Sequence, residues 1–218
     1  MPRLKSSVFT WHLYLQSKDS IPIFKDAADQ GQYLDFVLEA KKVFQFDLHA
    51  YVILDHKVHL LLHSRTRQPS IIMQRIHTNY AVYFNDRYKK NPELPSLQFK
   101  LRPVSSLRYF MEITKYIHLC PLFYAAADAP ESYPWSSYKQ YTQQNKGPVD
   151  NELMLRCFPK DSQTSCRQFH ERELDAVPSL ADLEEILQAY LRTLDLLYTK
   201  KQGTMMIRES EVEIQTDT

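Results

Sequence analysis

Three cysteines, Cys120, Cys157 and Cys166, are all that the 218 residues contain. Their odd number and unpaired spacing exclude a disulfide framework and point to a reducing, intracellular setting. Long apolar runs are missing as well. No stretch approaches the roughly eighteen apolar residues that a membrane helix needs, and the first six residues lack the continuous apolar core of a secretory leader. A soluble, cytoplasmic protein is expected, with no membrane partner. No internal repeat is visible, and overall charge is nearly absent at +1.

That small net charge hides a segregation. Residues 51–110 carry ten Lys or Arg against three Asp or Glu, a net +7, whereas residues 161–218 carry six against twelve, a net −6. A basic middle suits a polyanion such as nucleic acid, since phosphate neutralisation supplies most non-specific affinity. A solvated helical face would give the same charge pattern.

The apolar periodicity alternates between strand and helix. Residues 8–16 are aromatic and β-branched and read as a first strand; residues 29–44 place Tyr33, Phe36, Val37, Ala40 and Phe44 at helical spacing. Residues 48–54 and 58–63 read as strands joined through Asp55, His56 and Lys57, a connection short enough to demand an antiparallel hairpin. An amphipathic helix follows over 69–88, a fourth strand over 96–102, and a third helix over 105–119 that Pro121 ends. The order β-α-β-β-α-β-α predicts an α+β fold: an antiparallel, ferredoxin- or RRM-like sheet with its helices on one face, plus a helical C-terminal extension. Residues 1–145 are expected to form the main domain, 146–208 the helical extension with a helix over 179–197, and 209–218 a disordered acidic tail.

Chemistry concentrates in the second hairpin. Residues 52–63 read VILDHKVHLLLH, crowding His56, Lys57, His59 and His63 around an apolar strand. Side chains alternate along a strand, so Lys57 and His59 share a face and His56 takes the other. His63 lies on the face of His59 but some 13 Å farther along, too far to share an ion with it. His12 and His49 sit within strands and read as satisfied structural histidines. Tyr116, taken alone, reads as one more core-facing tyrosine.

In sequence, Asp47 to Leu54, His59 to Leu62, Met73-Gln74 with Tyr80 and Tyr83 to Asn85, Phe99-Lys100, Tyr116-Ile117 before Pro121, and Tyr133 to Tyr138 follow one another in a familiar order. Together they resemble an HUH-superfamily tyrosine transposase, most nearly the REP-associated tyrosine transposases, over roughly residues 5–145. The resemblance implies binding of hairpin-forming single-stranded DNA and its cleavage by a tyrosine that ends in a covalent 5′-phosphotyrosyl link. It implies a divalent metal, magnesium or manganese, that polarises the scissile phosphate. Tyr116 falls at the nucleophile position, His59 at the second histidine of the metal pair, and Cys120, one helical turn after Tyr116, at a further metal-ligand position. Relatives often dimerise.

The chain departs from that pattern where the metal would sit. Lys57 replaces the first histidine, and a protonated lysine repels a divalent cation. Cys120 replaces a polar ligand, and a thiolate suits magnesium or manganese poorly. A one-residue shift at the hairpin would swing His56 toward the metal face, with Asp55 and His118 as other nearby ligands. Two readings stay open: a DNA-binding relative with an impaired metal site, favoured by chemistry, and an active metal-dependent single-strand nickase or transposase, favoured by ancestry. Arg65, Arg67, Arg75, Lys89, Lys90, Lys100 and Arg102 are the expected phosphate contacts.

Overall fold

The computed structural model describes residues 10–18, 21–64, 69–89, 94–95, 97–104, 106–143, 147–158 and 162–171. The expected helix over 179–197, the tail over 209–218, and Arg65, Arg67 and Lys90 lie outside the described residues. In chain order come β1 (Thr10–Ser17), α1 (Ala27–Phe44), β2 (Asp47–Leu54), β3 (Lys57–His63), α2 (Pro69–Arg87), β4 (Leu97–Pro103) and α3 (Leu107–Phe123). Among the described residues three short α-helices follow: α4 (Lys139–Thr142), α5 (Glu152–Leu155) and α6 (Ser162–Glu171).

The strands form one sheet in the order β2-β3-β1-β4, antiparallel at every pairing. Each β-α-β crossover therefore skips one strand, which is the α+β arrangement that the element order predicts. Alternation puts Leu13 and Leu15 of β1 and Val58, Leu60 and Leu62 of β3 on one face, packed on Tyr33 and Val37 of α1 and Ile72, Ile76 and Tyr80 of α2. Asp26 caps α1 by accepting the Ala28 and Asp29 N–H groups. Arg87 at the end of α2 ion-pairs with Asp26 and with buried Asp29, which locks the two helices side by side.

The expectation of helices on one face holds for α1 and α2 and is corrected for α3, which lies against the opposite face. The reason is legible in β2 and β3. Ala50, Val52 and Leu61 point away from α1 and α2, yet all three are buried, so these strands need cover on both sides. α3 supplies it, with Phe110 edge-on to His49 at 5.0 Å between ring centres. Its end also differs from expectation. Pro121 lies within the last turn of the helix and does not stop it; the helix runs on to Phe123, and Tyr124 closes it through N–H bonds to the Cys120 and Leu122 carbonyls. A proline so near the end deletes a single ladder bond, which is why the turn survives.

The segment after α3 shields the outer edge of β2. The Trp135 carbonyl accepts the Ile53 N–H at 2.9 Å, and Ser137 N–H donates to the Tyr51 carbonyl at 3.0 Å. An edge paired this way no longer offers itself to another chain. The Trp135 ring reaches α1 at Gly31, where an added Cβ would meet it at 3.2 Å. Farther on, α6 is tied to α3 by a bond between His118 Nδ1 and His170 Nε2 at 2.9 Å.

Candidate functional site

The face of the sheet that carries α3 collects the residues singled out above. The register sets Tyr14 opposite His59, Gln16 opposite Lys57, Lys100 opposite Tyr14 and Arg102 opposite His12, so all of them project to one side. α3 covers β2 and β3 but leaves Tyr14, Lys100 and Arg102 partly open to solvent. Tyr116, half-buried, rests its ring edge-on against His59 at 5.4 Å between centres. Cys120, one turn along, is fully buried.

His59 has a partner that the sequence did not announce. His12 Nε2 and His59 Nδ1 lie 2.9 Å apart, with the ring planes within 9°. Burial pushes both imidazoles toward the neutral form. His12 is lowered to about 3, with help from the Arg102 charge. His59 is lowered well below the ordinary range, with further contributions from His12 and Lys57. Two neutral rings can share one N–H, which leaves His12 Nδ1 and His59 Nε2 buried with no hydrogen-bond partner among the described residues. Such orphans are uncommon in folded proteins.

The hairpin keeps its plain register. Leu54 pairs with Lys57 around a two-residue turn of Asp55 and His56, and the irregularity in β2 falls at the other end, between Leu48 and Ala50. No shift carries His56 onto the strand face of His59; it stays in the turn. Ser17 N–H bonds the His56 carbonyl at 3.0 Å and Ile23 N–H the Asp55 carbonyl at 2.7 Å. Gln30 Nε2 donates to Asp55 Oδ1 at 3.1 Å. Lys57 extends along the sheet face to the end of α3, where its Nζ donates to Tyr124 Oη at 2.5 Å and sits 4.0 Å over that ring.

The residues present do not fit the divalent ion that the resemblance implies. Of the positions that the resemblance assigns to the metal, only His59 offers an imidazole nitrogen, Nε2, without a partner among the described residues; its strand neighbour is an ammonium close enough to depress it; and the position one turn beyond Tyr116 is a buried thiol. Hard cations such as magnesium take oxygen ligands, and this set offers none from the expected positions. Among the described residues, no three His, Cys, Asp or Glu side chains converge in a way that could hold an ion. His118 is engaged elsewhere, between His170 and Ser137.

The expected phosphate contacts divide between the two sides of the sheet. Lys100 and Arg102 share the face of His59. Arg75 and Lys89 belong to or follow α2, across the sheet, and pair with Glu39 and Asp86. His12, Gln16 and Tyr124 were not singled out as site residues from sequence; only the β1–β3 register and the run of α3 past Pro121 bring them to the site.

Among solved structures, a REP-associated tyrosine transposase bound to a REP hairpin matches with a TM-score of 0.52 and 12% identity, over 65% of this chain and 82% of that one. A Deinococcus radiodurans protein assigned as a transposase matches with a TM-score of 0.39 and 19% identity, over 54% of this chain and 94% of that one. The four-stranded antiparallel sheet with its helices is thus an α+β fold of the transposase type. Residues 5–119, over half of the chain, match the family of IS200-like transposases, and the protein belongs to that family. No curated protein sequence matches it. Among the described residues no helix is long and apolar enough to cross a membrane.

Proposed function

We propose that the protein binds hairpin-forming single-stranded DNA on the α3-bearing face of its sheet, and that its metal site is impaired. The observation that carries this reading is Lys57. It stands beside His59 on one strand face, its ammonium held at Tyr124 where a metal-binding histidine is expected. Lys100 and Arg102 on the same face supply phosphate contacts, and the half-open Tyr14 ring offers a surface on which an unpaired base can stack. The solved relative carrying a REP hairpin supports the choice of ligand.

The active reading has one observation in its favour, the edge-on contact of Tyr116 with His59. In that reading the Tyr116 oxygen bonds to phosphorus while the bond to the 3′ oxygen breaks, and the strand is held as a phosphotyrosine. One incubation separates the two. A labelled hairpin with a single-stranded flank is mixed with the protein and manganese, then run on a denaturing gel. Salt-sensitive binding without a covalent band is the expected result; a covalent band that disappears in Tyr116→Phe overturns the impaired-site reading.

A further inference from the structure

At the turn of the β2–β3 hairpin a cavity of about 310 Å³ opens, with Gln16, Asp55, His56, Lys57 and Tyr124 in its wall. The geometry points to a phosphate-binding site that takes one nucleotide of a single strand, with the Lys57 ammonium supplying the positive charge that a metal supplies in related enzymes. This deepens the hairpin-binding reading and rests on it. It makes DNA binding metal-independent by construction.

Four observations carry it. The volume lies at the small end of the range for ligand cavities, about 300–1,000 Å³, so it suits a single nucleotide unit and no longer segment. Lys57 does not wave in solvent: the Tyr124 hydroxyl and ring fix its ammonium in the wall, so little side-chain freedom is left to lose when an anion arrives. The polar groups around it include an amide at Gln16 and an imidazole at His56, both able to donate to phosphate oxygens. Among the described residues the one carboxylate in the wall is Asp55, which is engaged through Oδ1 by Gln30 from α1, and whose backbone carbonyl takes the Ile23 N–H.

The cavity is also held in place from several sides. The turn that forms it is tied to the end of β1 through Ser17 and to the segment before α1 through Ile23, and Tyr124 belongs to the closing turn of α3. A site built from three elements fixed to one another is preorganised for its ligand. Because the cavity adjoins the open strip that bears Tyr14, Lys100 and Arg102, a strand crossing that strip meets a stacking surface, further cations and then the cavity. Only an unpaired nucleotide can leave its neighbours to enter such a hole.

The test uses the full chain and two probes: a labelled hairpin with a single-stranded flank, and the 5′-phosphorylated dinucleotide pTpT. Hairpin affinity is measured by anisotropy across a salt series, in EDTA and in manganese. The expected result is equal affinity in the two, a five- to tenfold loss in Lys57→Met with a slope of log K against log salt shallower by about 0.7, and the original slope in Lys57→Arg. Thermal midpoints of both variants show that they are folded. Binding that vanishes in EDTA overturns the inference, as does a Lys57→Met protein with unchanged affinity and slope, and in the latter case hairpin binding itself still stands. If the unmodified protein ignores the hairpin, the hairpin reading fails, and pTpT decides the cavity alone: NMR shifts at Lys57 and Tyr124 that are absent in Lys57→Met sustain it, and an unperturbed spectrum refutes it.

Discussion

Two histidine pairs in this molecule share one nitrogen-to-nitrogen distance and differ in what surrounds it. His118 and His170 meet nitrogen to nitrogen at 2.9 Å, and so do His12 and His59. In the first pair every ring nitrogen is used. His170 Nδ1 donates to the Cys166 carbonyl at 2.7 Å, His118 Nδ1 donates to His170 Nε2, and Ser137 Oγ donates to His118 Nε2 at 2.9 Å. In the second pair the outer nitrogens, His12 Nδ1 and His59 Nε2, have no partner among the described residues. A saturated buried pair is what stability selects; a half-satisfied one on the sheet face that bears Lys57, Lys100 and Arg102 persists for another reason. The contrast separates the structural histidines from those at the candidate site more sharply than burial does, since all four are buried.

The largest effect should come from breaking the saturated pair. His118→Leu leaves His170 Nε2 and Ser137 Oγ without their shared partner and disturbs packing on Tyr138 and Tyr141. A loss of about 2–4 kcal/mol is expected. Replacing His12 and His59 together by leucine removes both partners of one bond and two orphaned nitrogens, so it should be nearly neutral or stabilising. Urea denaturation of the two proteins at pH 7.5 checks the comparison, and equal losses would erase the distinction between the pairs.

Acid should act on both pairs through the same sign. Burial holds His170 at about 4 and His12 at about 3, and it lowers His118 and His59 as well. In the unfolded chain these imidazoles take up protons near pH 6.5. Between pH 6.5 and about 4 the unfolded state therefore binds more protons than the folded one, and stability falls as pH falls through that window. Each histidine that stays neutral contributes a slope of up to about 1.4 kcal/mol per pH unit. His170→Leu should lower stability at pH 7.5 yet show a shallower acid slope, so that its deficit narrows toward pH 4.5. Urea midpoints over that range test it; a constant deficit would mean that His170 does not couple to pH.

What the sequence disclosed follows the same division. The strand and helix order was legible because alternation along β1 and β3 and helical spacing along α1 and α2 are local signals, read within a dozen residues. The side on which α3 packs was harder, since it follows from β2 and β3 being apolar on both faces rather than from α3 itself. Lys57 and His59 on one strand face, and Tyr116 with Cys120 a turn apart, are likewise local facts, and the structure keeps both relations. The bond from His12 to His59 was out of reach, because it depends on a register between strands 47 residues apart. Tyr124 was hidden by a sound rule applied one turn too early: Pro121 weakens a helix, yet near its end the helix continues long enough to deliver a tyrosine to Lys57.

The smallest expected effect concerns the two sides of the sheet. Arg102 faces the same side as His12 and adds to the field that keeps it neutral, whereas Arg75 lies across the sheet beside Glu39. If the strand runs over the α3-bearing face, Arg102→Ala should weaken hairpin binding a few-fold and flatten the salt slope by about 0.7, the share of one phosphate contact on a single strand. Arg75→Ala should change neither. The two variants remove the same charge from the same basic stretch, so net charge cannot explain a difference between them; only the side of the sheet can. Equal losses in both would mean that DNA samples the whole basic surface and that the half-satisfied histidine pair does not mark the side on which the strand lies.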